Sequence, residues 1–321
     1  MADKLKEGID KDSWLSRAKR DIVKNRTIYL MLLPAIAYYI IFCYAPMYGA
    51  TIAFKNYSPR LGILGSQWVG FTHFKSFLTS SYFFRILKNT LNISVQSLIF
   101  GFPAPIILAL LINELSNKKF VKVTQTITYL PHFVSLVVVC GMIKSFTMDD
   151  GFVTQIISKL SGGLWEAKTL LNESKYFVPI YIISDIWQEV GWGSIIYLSA
   201  LSGIDQELYE AAEIDGAGRL RQTWNVTLPG ILPMVMIMLI LRMGGLLNVG
   251  YEKIILLYNQ GTYETADVIS TFVYRRSLLA EGGKNQWSYS TAVGLFNSVI
   301  NFILIITANK ISNKVSDIGL W

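Results

Sequence analysis

Apolar and charged positions fall in long blocks along this chain rather than alternating at a helical or strand period. Thr27 to Phe54 runs 28 residues without a charge, Asn89 to Asn113 runs 25, Val123 to Ile143 runs 21 and Asn285 to Asn309 runs 25. About 20 mostly apolar residues in a helix cross a hydrocarbon core, so each block predicts one spanning helix. Two further stretches are apolar but interrupted. Tyr176 to Ile204 carries Asp185 and Glu189, and Gln222 to about Tyr258 carries Arg242, Glu252 and Lys253. The pattern predicts an all-α integral membrane protein with six transmembrane helices.

Composition agrees. Apolar residues make up 52% of the 321 positions and charged residues 16%, with a mean hydropathy of +0.40. Soluble domains carry about 25% charge. A disordered chain, a coiled coil and an ordinary cytosolic enzyme are thereby excluded. The net charge is +7, and eight basic residues lie between Lys4 and Arg26, directly before the first block. Anionic lipid and topology setting explain that cluster better than nucleic acid. It places the N-terminus in the cytoplasm, and an even number of spans places the C-terminus there too.

The expected organisation is a cytoplasmic basic segment (1–26), a transmembrane domain (27–309) and a cytoplasmic tail (310–321). Glu114 to Lys122 and Asp205 to Arg221 are then cytoplasmic. Lys55 to Lys88, Lys144 to Lys175 and Asn259 to Lys284 are external. The first block is too long for a signal-peptide core and follows a charged segment.

The candidate chemistry is sparse. The two cysteines, Cys43 and Cys140, lie inside apolar stretches, and His73 and His132 are the only histidines. No disulfide framework, zinc site or histidine-rich metal site can be built from them. The sequence contains no G-x-x-x-x-G-K-[ST] loop, no G-x-S-x-G elbow and no histidine-centred triad. Catalysis is not expected on this chain, and no metal or cofactor site is expected either.

The most informative stretch is 205–229, DQELYEAAEIDGAGRLRQTWNVTLP. Asp205 can cap a helix running through Tyr209 and Ala212. Gly216 sits where that helix would end. A second amphipathic helix is expected through Leu220, Trp224 and Val226, with Pro229 marking entry to the fifth span. Small Ala211 and Ala212 beside Glu210 would let a partner approach the backbone closely. A plain interfacial loop is the alternative on physics alone.

Glu210-Ala211-Ala212, Asp215-Gly216-Ala217 and Val226-x-Leu228-Pro229 resemble the EAA motif of permease subunits of binding-protein-dependent ABC importers. That pattern is EAA, three residues, Gly, nine residues, Ile-x-Leu-Pro, and Val226 stands for the isoleucine. The resemblance implies the type I importer permease fold, with Glu210, Ala211, Ala212, Asp215, Gly216 and Ala217 forming a coupling helix seated in an ATPase. It also implies the partners: a second homologous permease, two ABC ATPases holding ATP and magnesium, and an extracellular solute-binding lipoprotein. Leu33-Pro34, Ala45-Pro46-Met47-Tyr48-Gly49, Trp68-Val69-Gly70-Phe71, Thr265-Ala266-Asp267-Val268-Ile269, Tyr274-Arg275-Arg276 and Tyr289-Ser290-Thr291-Ala292-Val293-Gly294 are similar to permeases importing complex oligosaccharides. Among these the likeness points to the subfamily importing aldouronates and other polysaccharide fragments in Gram-positive bacteria.

Ionisable groups at membrane depth are costly and usually face a cavity or a partner. Asp185, Glu189 and Trp192 stand four and three apart, on one helix face, with Gln188 beside them. Gly191 and Gly193 are expected to loosen that helix. Arg242, Gly244-Gly245, Asn248, Gly250, Tyr251 and Glu252 repeat the arrangement in span five. Carboxylates and amides for hydroxyls, with aromatics for the apolar sugar face, suit a carbohydrate path. The resemblance carries that role onto Asp185, Gln188, Glu189, Trp192 and Asn248. The alternative for Arg242 is a structural ion pair with Asp185 or Glu189. Tyr197, Trp287 and Tyr289 are read as belt or packing aromatics. The leading function is an alternating-access oligosaccharide permease. Import of a non-sugar solute and a secondary transporter are the alternatives, and a membrane-embedded enzyme is a third class.

Overall fold

The computed structural model describes residues 20–162, 165–279, 286–316 and 319–320, in two units divided between Val69 and Gly70. The basic residues from Lys4 to Lys19 lie outside the described residues.

The first unit is one long helix and a small turn. Helix α1 (Arg26–Phe54) runs 29 residues. It is π-helical over Tyr39–Tyr44 and 3-10 over Tyr48–Phe54. No side chain in Arg26–Tyr38 is buried, as suits a helix whose surface is apolar all round. Beyond it, β1 (Lys55–Asn56) pairs antiparallel with β2 (Gln67–Trp68). Phe54 stacks on Trp68 with centroids 5.6 Å apart.

The regular secondary structure of the second unit is helical throughout its described residues. In order come α2 (Thr72–Leu78), α3 (Phe83–Asn113), α4 (Lys118–Phe133), α5 (Leu136–Phe146), α6 (Phe152–Leu160) and α7 (Ser174–Ser202). Then follow α8 (Gln206–Ile214), α9 (Arg219–Gly244), α10 (Tyr251–Leu257), α11 (Tyr263–Ala266), α12 (Ile269–Ser277) and α13 (Trp287–Ser316). Helix α7 packs along α3, and α9 along α13. Phe177, Tyr181, Ile182, Ile254 and Leu257 form one core cluster, and Ala109, Tyr197, Leu201 and Ile231 form a second.

Four helices, α1, α3, α9 and α13, are long and apolar enough to cross a membrane. Helix α7 is 29 residues long but less apolar, carrying Asp185, Gln188 and Glu189. The expected third span is not one straight helix: α4 and α5 meet at 99°. Pro131 lies in the last turn of α4, Val134 is extended, and Ser135 caps α5 by accepting from the Val138 N–H. The expected six spans therefore do not appear as six uninterrupted apolar helices.

Span five also departs from expectation. The amphipathic helix expected before Pro229 is continuous with the span, because α9 begins at Arg219 and passes through a π-helical stretch at Thr223–Thr227. It stops at Gly244 instead of running to Tyr258. Residues 245–250 are non-helical, and α10 resumes at Tyr251. Broken backbone at this depth is tolerated where it lines a cavity or is held by side chains. Asn301 of α13 supplies one such bond, accepting the buried Leu247 N–H at 3.1 Å.

Candidate functional site

Helices α3, α7, α9 and the 245–250 segment border an open-sided cavity of about 580 Å³. That lies within the roughly 300–1,000 Å³ of small-molecule sites. Helix α3 contributes Ser94, Ser97 and Phe102; α7 contributes Tyr181, Asp185, Glu189, Trp192 and Tyr197; the third side has Arg242, Asn248 and Gly250.

The expected path residues divide. Asp185, Glu189, Trp192 and Asn248 line the cavity, whereas Gln188, Tyr251 and Glu252 do not. Gln188 is buried. Tyr251 lies 5.9 Å from the Tyr274 ring, and Glu252 is exposed. Tyr197, read as a packing aromatic, is buried yet also reaches the cavity. Tyr289 packs between Phe77 and Phe272.

Each carboxylate in the cavity has a nitrogen partner, and in neither case is it Arg242. Lys253 of α10, 4% exposed, reaches Asp185 at 3.2 Å. Its ammonium also lies 5.1 Å from the Tyr181 ring centroid. Glu189 meets Nδ1 of His132 at 2.9 Å. No carboxylate comes within ion-pair distance of Arg242 among the described residues, so the alternative, a structural pairing of Arg242 with Asp185 or Glu189, is not formed. The sequence does not single out Lys253 or His132. Lys253 is one of three charges in an apolar stretch, with nothing in the spacing to say which turns inward. His132 becomes meaningful only when the end of α4 meets α7.

That meeting depends on Gly191. Helix α7 is unbroken here, so the glycine does not loosen it as expected. It provides clearance instead. A Cβ on Gly191 would lie 2.0 Å from the Thr128 carbonyl oxygen, and one on Gly193 would lie 3.0 Å from Pro105. The close approach brings His132 flat against Trp192, with ring centroids 4.5 Å apart and planes 1° from parallel. Phe133 meets the same indole edge-on at 5.7 Å.

The other end of α7 leads into the motif-bearing turn. Asp205 caps α8, its carboxylate accepting from the Glu207 N–H at 3.1 Å. Gly216 has φ +74°, a left-handed conformation that favours glycine. It closes α8 through bonds from the Gly216 N–H to the Glu213 carbonyl and from the Ala217 N–H to the Ala212 carbonyl, both 2.9 Å. Glu210, Ala211, Asp215 and Gly216 are exposed, and Ala212 and Ala217 half-buried. Leu208, Ile214 and Leu220 stand 54%, 86% and 80% exposed, an apolar surface on a segment rich in charge. Tyr209 and Thr227 share a 3.0 Å hydroxyl bond that ties α8 to α9, and Arg219 lies 3.6 Å from Glu114 at the end of α3.

A third constellation lies away from the cavity. Asp267 is fully buried and receives both guanidinium nitrogens of Arg275 at 2.8 Å, with Arg85 of α3 at 3.3 Å and the Thr271 hydroxyl at 2.9 Å. Asn89 of α3 donates to the carbonyls of Glu264 and Asp267. The Thr265–Ile269 and Tyr274–Arg276 segments picked out in the sequence thus dock α11 and α12 onto α3.

Long apolar helices around a polar cavity, joined to a motif-bearing turn, define a membrane transport permease. The chain belongs to the family described as "Binding-protein-dependent transport system inner membrane component", which matches residues 101–317. It is 44% identical over 310 residues to Protein LplB of Bacillus subtilis (strain 168), spanning 96% of this chain and 94% of that protein. It is 43% identical over 301 residues to the polygalacturonan/rhamnogalacturonan transport system permease protein YteP of the same organism, spanning 94% and 92%. A chain in the crystal structure of a bacterial ABC transporter involved in import of the acidic polysaccharide alginate superposes with a TM-score of 0.84. It is 42% identical, and the match covers 94% of this chain and 99% of that one. The same figures hold for the alginate transporter in complex with an alginate pentasaccharide-bound periplasmic protein. The chain is a multi-pass inner-membrane permease component of an ABC importer, and nucleotide hydrolysis belongs to other subunits of such systems.

Proposed function

We propose that this chain is one permease half of an importer for oligosaccharides released from polysaccharides. The observation that carries the reading is that the same two helices line the cavity and lead into and out of the motif-bearing turn. Helix α7 carries Asp185, Glu189 and Trp192 around its middle and leads into the turn at its C-terminal end. Helix α9 leaves the turn and ends at Arg242 and Gly244. Carboxylates, an amide and an exposed indole edge in one cavity suit hydroxyls and the apolar face of a sugar ring. The names of the relatives and the alginate transporter support the same substrate class.

In this reading the exposed surface of α8, with Leu208, Ile214 and Leu220, docks on an ATPase. The ATPases bind ATP and magnesium, and this chain binds no cofactor. A second homologous permease closes the cavity, and an extracellular lipoprotein delivers the sugar. Both termini and the turn lie in the cytoplasm. ATP-driven approach of the ATPases displaces the turn and opens the cavity outward. The test is uptake by the complete importer in proteoliposomes. Trp192→Ala and Glu189→Gln should lower oligosaccharide uptake at least tenfold with the subunits still assembled. Normal uptake in both variants places the sugar route elsewhere.

A further inference from the structure

The side of the cavity formed by Arg242 and residues 245–250 offers hydrogen-bond donors, and the geometry fixes this for Asn248 in particular. An asparagine side chain can present either its oxygen or its amino group. Here the Leu247 N–H decides the matter at one remove. It donates to Asn301 Oδ1 at 3.1 Å, so the other atom of that amide, Nδ2, is the one that faces Asn248. Asn301 Nδ2 donates to Asn248 Oδ1 at 3.0 Å, and Asn297 Nδ2 donates to the same oxygen at 3.0 Å. With its oxygen engaged twice by α13, Asn248 has its amino group left for the cavity that it lines.

Arg242 lines the same side. Its guanidinium has donors only, and no carboxylate of the described residues lies within ion-pair distance. The acids opposite are already provided for: Lys253 sits 3.2 Å from Asp185 and His132 2.9 Å from Glu189. The cavity therefore has one side of carboxylates that already have nitrogen partners and one side of unengaged donors, one of them the Arg242 guanidinium.

We infer that Arg242 and Asn248 form a carboxylate-reading pair, which selects oligosaccharides built from uronic acids over their neutral counterparts. This rests on the oligosaccharide reading above. A planar guanidinium takes a carboxylate through two parallel N–H bonds, and the Asn248 amino group adds a neutral donor. The hydroxyls of the same sugar have the Asp185 and Glu189 oxygens as acceptors across the cavity. Asn297 and Asn301 act as positioning residues, since they touch Asn248 and do not line the cavity.

Asn248→Asp is the informative variant. It keeps the oxygen that Asn297 and Asn301 need and replaces the donor with a second, anionic oxygen. Arg242→Gln removes the charge and keeps a long polar side chain. Proteoliposomes holding the whole importer are supplied with saturating binding protein loaded with a uronic-acid oligosaccharide or with its methyl ester. Wild-type importer should take up the acid faster than the ester. Both variants should lower acid uptake at least tenfold. In both variants ester uptake should fall by a clearly smaller factor than acid uptake. An unchanged acid rate in both variants, or an equal fall for acid and ester, overturns the inference. So does a wild-type importer that takes both forms equally well, which leaves the oligosaccharide reading intact. A wild-type importer that takes up neither form overturns the oligosaccharide reading and this inference with it.

Discussion

His132 lies parallel to Trp192, 4.5 Å away, while its Nδ1 meets the carboxylate of Glu189 at 2.9 Å. One imidazole from the end of α4 thus sets two groups that face the cavity from α7. It does not line the cavity itself, so its influence on transport passes through those two. An aromatic pair contributes about 0.5–1.5 kcal/mol beyond the area it buries, enough to favour one indole orientation several-fold. His132→Phe keeps the stack and loses the bond to Glu189, and His132→Ala loses both. Uptake should fall several-fold in the alanine variant and less in the phenylalanine variant. Equal uptake in all three proteins would remove His132 from the transport function.

Gly216 separates backbone strain from steric blockade. Its φ is +74°, and a Cβ built there meets nothing within 4 Å. A non-glycine residue in this region costs about 1–2 kcal/mol, confined to the turn. Gly216→Ala should therefore leave assembly and transport close to wild type. Gly216→Trp adds bulk that can collide only with a docked subunit. It should abolish uptake and uncouple ATP hydrolysis from the loaded binding protein, with the permease still folded in the membrane. Full stimulated hydrolysis in the tryptophan variant would show that α8 and its turn do not carry the signal.

Asp267 is fully buried between Arg275 and Arg85. Removing one member of a buried ion pair costs about 3–5 kcal/mol, because the stranded charge has no water to turn to. Asp267→Ala should lower the unfolding temperature and the yield of assembled complex sharply. Asp267→Asn should do so less, since it retains an oxygen for one guanidinium. The measurement is thermal unfolding of the detergent-solubilised complex, and wild-type stability of the alanine variant would contradict the assignment.

Topology is open to labelling in a variant lacking Cys43 and Cys140. Leu64 is 84% exposed next to β2, whereas nearby Ser66 is 5% exposed and poorly placed for a probe. A cysteine at Leu64 should react with an impermeant reagent from outside. One at Gly218 should react only after the membrane is opened. The reverse pattern would invert the orientation given by the basic N-terminal segment.

The spans were legible because hydrocarbon tolerates so few charges that uninterrupted apolar runs have little else to be. The turn after α8 was legible for a comparable reason: an acidic cap before a helix and a glycine after it have few other uses. Three features were not readable. The 99° bend between α4 and α5 lies inside a charge-free run, where Pro131 and Ser135 do not alter hydropathy. The halt of α9 at Gly244 depends on Asn301, more than 50 positions away, which replaces a lost backbone partner. The choice of Lys253 over Arg242 as the partner of Asp185 follows from how α10 packs after that halt. Gly191 carries a signal with two causes. A glycine mid-helix marks either weakness or close approach, and only the position of Thr128 decides between them.

Helix α9 has a mechanical consequence. Its 26 residues make a rod about 39 Å long at 1.5 Å per residue, with the Gly216 turn at one end and Arg242 at the other. The Tyr209–Thr227 bond fastens α8 to its first turns, so a push on α8 is applied to the rod directly. A tilt of about 5° around its middle carries each end roughly 1.7 Å, in opposite directions. That is enough to break a hydrogen bond at the cavity without unwinding any of the helix. In the proposed reading the chain between Gly216 and Arg242 acts as a lever.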